Sequence, residues 1–418
     1  MKNMCVARLV ILPLVIFLLE IVFSSCGKKQ IERAPVVQPG IEVLAEGEGL
    51  MLKGKSVGLI TNPTGVTSAL RSNIEVLMAL PAVKLNALFG PEHGVRGDMD
   101  AGAFVAHTTD EKTGLPMYSL YGSARKPTAS MLKDLDVLVY DIQDVGVRVY
   151  SYLYTMTAAM EAAANFGIQF VVLDRPNPLG GELVEGPVLE AGFESSMGKY
   201  PIPYVYGLTI GELAQLCNEE FGIQCNLTVV PMQGWRRKMQ WEETGLPWVP
   251  TSPHIPDAET VLYYASTGCI GELRTVFEGV GYTLPFEIIG ARWIDGEELE
   301  NSLNSCGLPG VYFRSLFVRP YYSSFKGQSI KGVQLHVRDR NSFQPMSTQI
   351  HIITALQRLY PEIGIFGTKR DRNFDLAMGT DKVRLAIELG TSAGEIIASW
   401  EEEVDKFLKL RKKYLLYE

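Results

Sequence analysis

Short apolar runs alternate with longer helical ones through the first two thirds of the chain. Residues 56–60, 83–89, 136–140 and 168–173 read as buried strands, 70–80, 153–166 and 210–220 as helices, and 227–231 as a further strand. Strand and helix in alternation require crossover connections, so the pattern predicts an α/β fold with a Rossmann-like, mainly parallel sheet. After residue 287 the pattern changes: 310–318 and 332–338 alternate apolar with polar positions, and helices follow at 347–360, 381–389 and 393–410. Strands followed by helices predict a smaller C-terminal α+β domain. The expected organisation is a Rossmann-like domain at 41–287 and an α+β domain at 288–418.

The segments after the strands carry the candidate chemistry. They are Thr61-Asn62-Pro63-Thr64-Gly65, Gly90-Pro91-Glu92-His93-Gly94-Val95-Arg96-Gly97, Asp141-Ile142-Gln143-Asp144-Val145-Gly146-Val147-Arg148 and Asp174-Arg175-Pro176-Asn177-Pro178. In a parallel sheet all four emerge on one edge, where ligands bind at the carboxyl ends of the strands. Asn62, Glu92, His93, Arg96, Asp144, Arg148 and Arg175 are therefore expected to converge on one crevice. Further on, proline and tyrosine crowd 200–209 into a rigid wall of rings that includes Tyr206, and 251–256 brings a second imidazole, His254. Trp235, Trp241 and Trp248 suit either sugar faces or core packing. The stretch 263–286 bears Glu272, Glu278 and Gly279.

Composition narrows the field. A chain of 418 residues, 46% apolar and 21% charged, folds into globular domains. A net charge of −8 and the lack of a basic stripe argue against nucleic acid as the main partner. The first 26 residues join Lys2 and Arg8 to the apolar run 9–19 and end in small residues, which predicts a secretory signal too short for a comfortable membrane span. Phe23-Ser24-Ser25-Cys26 resembles the bacterial lipobox, so Cys26 is expected to be lipidated, and residues 27–40 to tether an exported lipoprotein that faces the periplasm. Simple secretion is the alternative. Cys217, Cys225, Cys269 and Cys306 show no zinc-ligand spacing and are expected as buried free thiols rather than a Cys217–Cys225 bridge. No Walker loop, HExxH or dinucleotide fingerprint occurs, and neither a metal nor another cofactor is expected.

Glu92 and a second carboxylate are the parts needed to cleave a glycosidic bond, and Asp144 and Glu185 are the second candidates. Arg96, Arg148 and Arg175 point to an anionic ligand, or else pair with the aspartates of their own loops. The four loop motifs, with Val184-Glu185-Gly186-Pro187, closely resemble the exo-β-N-acetylmuramidase family of bacterial cell-wall recycling, from about residue 41 to the C-terminus. The resemblance implies release of N-acetylmuramic acid from the non-reducing end of peptidoglycan fragments. It also implies a cleft between two domains, with Glu92 as the catalytic glutamate; Glu92 is expected to act there as the general acid. The chain departs from the family at Val205-Tyr206-Gly207-Leu208-Thr209 and Gly271-Glu272-Leu273-Arg274-Thr275. The alternative reading is a non-catalytic lipoprotein that binds muropeptides. A metal-dependent hydrolase using His93, Asp144 and His254 is a weaker third.

Overall fold

The alternating runs become a seven-stranded sheet of β1 (Ser56–Thr61), β2 (Lys84–Gly90), β3 (Thr108–Thr109), β4 (Pro116–Ser119), β5 (Val137–Asp141), β6 (Gln169–Leu173) and β7 (Leu227–Val230). The strand order is β3-β4-β2-β1-β5-β6-β7, parallel throughout except for the β3–β4 edge pair. The computed structural model describes residues 36–98, 108–122 and 125–418. The signal segment with Cys26 and residues 27–35 of the expected tether lie outside them.

Successive side chains of a strand point to opposite faces, and the central strands use both. Val137, Val139, Val171 and Leu173 pack on one side against Ile41, Leu44, Ile74 and Leu77 of helices Gly40–Glu46 and Asn73–Ala79. Leu138, Tyr140, Phe170 and Val172 pack on the other with Leu153 and Met156 of helix Tyr152–Phe166 and Leu213 and Leu216 of helix Ile210–Glu220. That second apolar layer continues without a break to Ile289, Val333, Leu335 and Ile350. These belong to an antiparallel sheet of β8 (Ile288–Ala291), β9 (Val311–Val318) and β10 (Ile330–Val337), ordered β8-β10-β9, and to helix Pro345–Leu359. The fold is thus the expected α/β sheet with a smaller second layer, and the shared core makes Val36–Glu418 one compact unit.

Three local features differ from expectation. Order begins before residue 41: the Val37 N–H donates to Thr244 O at 2.8 Å, Gln38 pairs with Gln233, and the Gly40 N–H donates to Asp174 O at 2.9 Å. A polar, proline-containing stretch carries no periodicity that could announce such tertiary pairing. Helix Thr260–Leu273 was hidden because it is buried nearly all round, leaving no polar stripe to mark a 3.6-residue period. The helix expected at 393–410 is two, Ala393–Ala398 and Glu401–Arg411. Between them the Ser399 hydroxyl bonds back to Ile396 O at 2.6 Å and Trp400 turns into the core.

Candidate active site

A cleft of about 790 Å³ opens beyond the carboxyl ends of β2 and β5. Glu92 and His93 line it from the loop after β2. That loop needs glycine at its base, since a Cβ on Gly90 would lie 2.6 Å from the Val95 nitrogen. Its far side is fastened by Arg96, which binds Asp110 bidentately (Nε to Oδ1 and Nη2 to Oδ2, both 2.8 Å). The guanidinium holds the Asp110 carboxyl down at about 2. With Val95 buried, the turn leaves Glu92 and His93 facing the cleft, His93 in a left-handed backbone conformation (φ 70°).

Two hydroxyls hold Glu92. Ser151 Oγ donates to Oε2 at 3.0 Å, and the Tyr121 hydroxyl also bonds the carboxylate. Ser151 occupies the N-cap of helix Tyr152–Phe166 but makes no cap bond, so its hydroxyl serves Glu92 instead of the helix end. Burial and then the Glu92 charge raise the Tyr121 hydroxyl above its ordinary range, which keeps it a donor. Tyr150 and Tyr152 also line the cleft, and their hydroxyls lock on Thr251, through Oγ1 at 2.8 Å and the carbonyl at 2.5 Å. That contact fixes the next loop, from which His254 enters with Nε2 3.0 Å from the Tyr322 hydroxyl. Burial, then the neighbouring His93, lower the His254 imidazole and favour its neutral form.

Helix Thr260–Leu273 and the segment after it form the facing wall, with Tyr264, Glu272, Arg274 and Glu278. Glu272 Oε2 accepts a long bond from Asn373 Nδ2 at 3.4 Å. Glu278 is held in place by its neighbour Phe277, whose backbone exchanges hydrogen bonds with Gly290 at 2.7 and 2.9 Å. Space for its side chain comes from Gly271, where a Cβ would stand 2.8 Å from Glu278 Cγ. Glu278 is 4% exposed, its Oε2 has no partner, and burial pushes the carboxyl up to about 7. Below about pH 7 it therefore keeps its proton, and at that pH about half of the molecules do, as a group poised to donate one requires.

The structure corrects several sequence expectations. All four loops do emerge at one edge, but Asn62, Asp144, Arg148 and Arg175 are packed beneath it and do not line the cleft. Asn62 Oδ1 accepts from the Thr64 N–H at 3.0 Å and builds its own turn. Arg175 pairs with Asp141 (Nε to Oδ1 2.6 Å, Nη2 to Oδ2 3.0 Å), a buried pair whose rupture costs about 3–5 kcal/mol. Arg148 is wholly buried and donates to the carbonyls of Ala377 and Met378 at the end of helix Asp371–Met378, tying the two layers together. Burial lowers its pKa.

Asp144 accepts from the Tyr206 hydroxyl and the Gly146 N–H; burial raises its carboxyl, and Tyr206 is spent on it. Glu185 accepts from the N–H groups of Met346 (3.0 Å) and Ser347 (2.6 Å), so it caps helix Pro345–Leu359. Neither lines the cleft beside Glu92. Trp235 and Trp241 are buried, and Trp248 packs edge-on against Trp241 with its indole N–H on Ile255 O. None offers a platform to the cleft. The four cysteines are free, Cys217, Cys225 and Cys269 buried and Cys306 exposed, against the expectation of four buried thiols. Among the described residues no group of three His, Cys, Asp or Glu is arranged to hold a metal ion.

Ser151, Tyr121, Tyr264, Tyr322 and Arg274 were missed, and Glu278 was noticed without a role. Its one signal was an acid following Val276-Phe277 and preceding Gly279, too short a pattern to assign chemistry.

One carboxyl held by hydroxyl donors and another buried with one oxygen unpartnered, on one cleft large enough for a sugar ring, is the equipment of a glycoside hydrolase, here on a Rossmann-like scaffold. Residues 57–259 match the family description "Exo-beta-N-acetylmuramidase NamZ, N-terminal", and 262–417 match its C-terminal counterpart. The chain belongs to this exo-β-N-acetylmuramidase family. It is 50% identical over 394 residues to the peptidoglycan beta-N-acetylmuramidase NamZ of Bacillus subtilis (strain 168), covering 94% of each chain. Crystal structures of two DUF1343 family proteins from Bacteroides fragilis NCTC 9343 share the fold. One is 46% identical with a TM-score of 0.88, over 92% of this chain and 100% of the other. The second is 30% identical with a TM-score of 0.74, over 92% and 99%.

Proposed function

We propose that this protein is an exo-acting glycoside hydrolase that releases N-acetylmuramic acid from the non-reducing end of peptidoglycan fragments. The observation that carries the mechanism is the contrast between Glu92 and Glu278 on one cleft. Glu278, raised to about 7 and so still largely protonated just below neutrality, takes the general-acid role expected of Glu92 and gives its proton to the leaving glycosidic oxygen as the C1–O bond breaks. Glu92, held by Ser151 and Tyr121, supports the positive charge that develops at C1 or directs water to it. Family membership and the named activity of the Bacillus subtilis relative support the substrate class. Incubation with N-acetylmuramyl-β-1,4-N-acetylglucosamine is expected to yield free N-acetylmuramic acid in stoichiometric amount with N-acetylglucosamine, read by mass spectrometry. An intact disaccharide after prolonged incubation would favour the binding-lipoprotein alternative.

The same reading places the protein outside the cytoplasm, anchored through a lipid on Cys26 and facing the periplasm. Its support is the apolar run 9–19 and the sequence Phe23-Ser24-Ser25-Cys26. Labelled palmitate is expected to enter the protein in a bacterial host and to be absent from Cys26→Ala; equal labelling of both would rule out that anchor.

A further inference from the structure

A muramic acid unit differs from its glucosamine neighbour by a lactyl ether that ends in a carboxylate, so a site that chooses muramic acid gains most from a cation placed for that group. Arg96, Arg148 and Arg175, the guanidinium groups that the sequence offered, are committed to Asp110, to the carbonyls of Ala377 and Met378, and to Asp141. Among the residues lining the cleft, one arginine remains, Arg274.

Three observations on Arg274 point the same way. Its side chain is exposed to the cleft and forms no ion pair within 4 Å among the described residues; its side-chain hydrogen bond is a marginal 3.5 Å approach of Nη1 to Ser323 Oγ, and its charge acts at longer range on Glu278, whose carboxyl it lowers. Most of its five N–H donors are thus available for a bidentate ligand. Second, Arg274 is the C-cap of helix Thr260–Leu273 in the left-handed region (φ 61°, ψ 0°). Glycine takes that conformation at least cost, so the arginine sits there against a backbone penalty of about 1 kcal/mol. Third, Glu92 and Glu272 line the same cleft. An anionic ligand entering between carboxylates needs a fixed cation, and the imidazole of His254, shifted toward its neutral form, does not supply one.

We infer that Arg274 binds the lactyl carboxylate of N-acetylmuramic acid and so sets the preference of the cleft for muramic over glucosamine sugars. The inference rests on the proposed muramidase reading and adds to it the residue that recognises the anion. It also requires the carboxylate to be free, because an amide at that position removes the charge that the guanidinium pairs with.

The test compares the unmodified protein, Arg274→Ala and Arg274→Lys on two chromogenic β-glycosides, N-acetylmuramic acid and its lactyl methylamide. Arg274→Ala is expected to lower the preference for the acid over the methylamide in kcat/KM by about 10- to 100-fold, the worth of a bidentate charge-assisted contact. The loss falls mainly on KM, and Arg274→Lys recovers part of it. An unchanged preference overturns the inference, as does an equal loss on both substrates with a displaced alkaline limb, which would make Arg274 a counter-ion of Glu278. If the unmodified protein cleaves neither glycoside, the hydrolase reading fails on its own. Calorimetry with free N-acetylmuramic acid and its methylamide still decides Arg274: selective loss of acid binding in the alanine variant supports the inference, and unaltered binding overturns it.

Discussion

Replacing Glu92 by Gln is expected to lower kcat by about 10²–10⁴-fold while leaving the melting temperature within a few degrees of the parent. That rate loss corresponds to about 3–5 kcal/mol of transition-state stabilisation. The side chain keeps its shape and its remaining oxygen can still accept from Ser151, so packing is preserved while the negative charge is lost. Because that charge acts only as the C1–O bond breaks, binding of the product should survive. Release of N-acetylmuramic acid at the parental rate by a folded Glu92→Gln protein would remove Glu92 from the mechanism.

Glu278→Gln should change activity and stability in opposite directions. The acid form is the one that donates, and with the carboxyl raised to about 7 the parent should lose kcat/KM as pH climbs through that value. The variant should be slower by about 10²-fold or more and should lack this limb. For stability, the folded value of about 7 lies above the ordinary 4.5. The contribution of this group is therefore fully present below pH 4.5 and is lost as pH rises through about 7. The full loss is about 3 kcal/mol. Glutamine cannot ionise and escapes that loss, so the variant should gain in melting temperature over the parent between pH 5 and pH 8. A pH-independent difference in melting, with the alkaline limb intact in the variant, would show that Glu278 does not titrate in this range.

Much of the scaffold was legible because burial on both faces of a parallel sheet leaves a direct trace. Strands such as 137–141 and 169–173 are continuous apolar runs flanked by helices, and their order in sequence dictates crossovers. The Glu92 loop was legible for the same reason: three functional side chains between glycines after a buried strand have few structural uses. The partners of Glu92 were not. Ser151 resembles any helix N-cap residue, Tyr121 follows a strand of only four residues, and Glu278 lies nearly two hundred positions away.

The arginines show the limit most clearly. Arg175 and Arg274 look alike in a sequence, each beside polar residues at the end of an apolar element. Asp141 lies on the neighbouring strand, where β5 ends next to β6, and that adjacency captures Arg175 in a buried pair. Arg274 ends its helix at the cleft with no carboxylate within ion-pair distance among the described residues. Likewise Glu185 became a helix cap only because Pro345–Leu359 begins beside it.

The sequence by itself determined the layer architecture, the edge on which chemistry gathers and the placing of Glu92, since hydrophobic period and chain order suffice for those. The tertiary structure alone decided which polar side chains are spent on one another and which face the cleft. A charge buried during folding must take its nearest partner, and partners such as Asp141 for Arg175 or Met346 and Ser347 for Glu185 come from segments far apart in the chain.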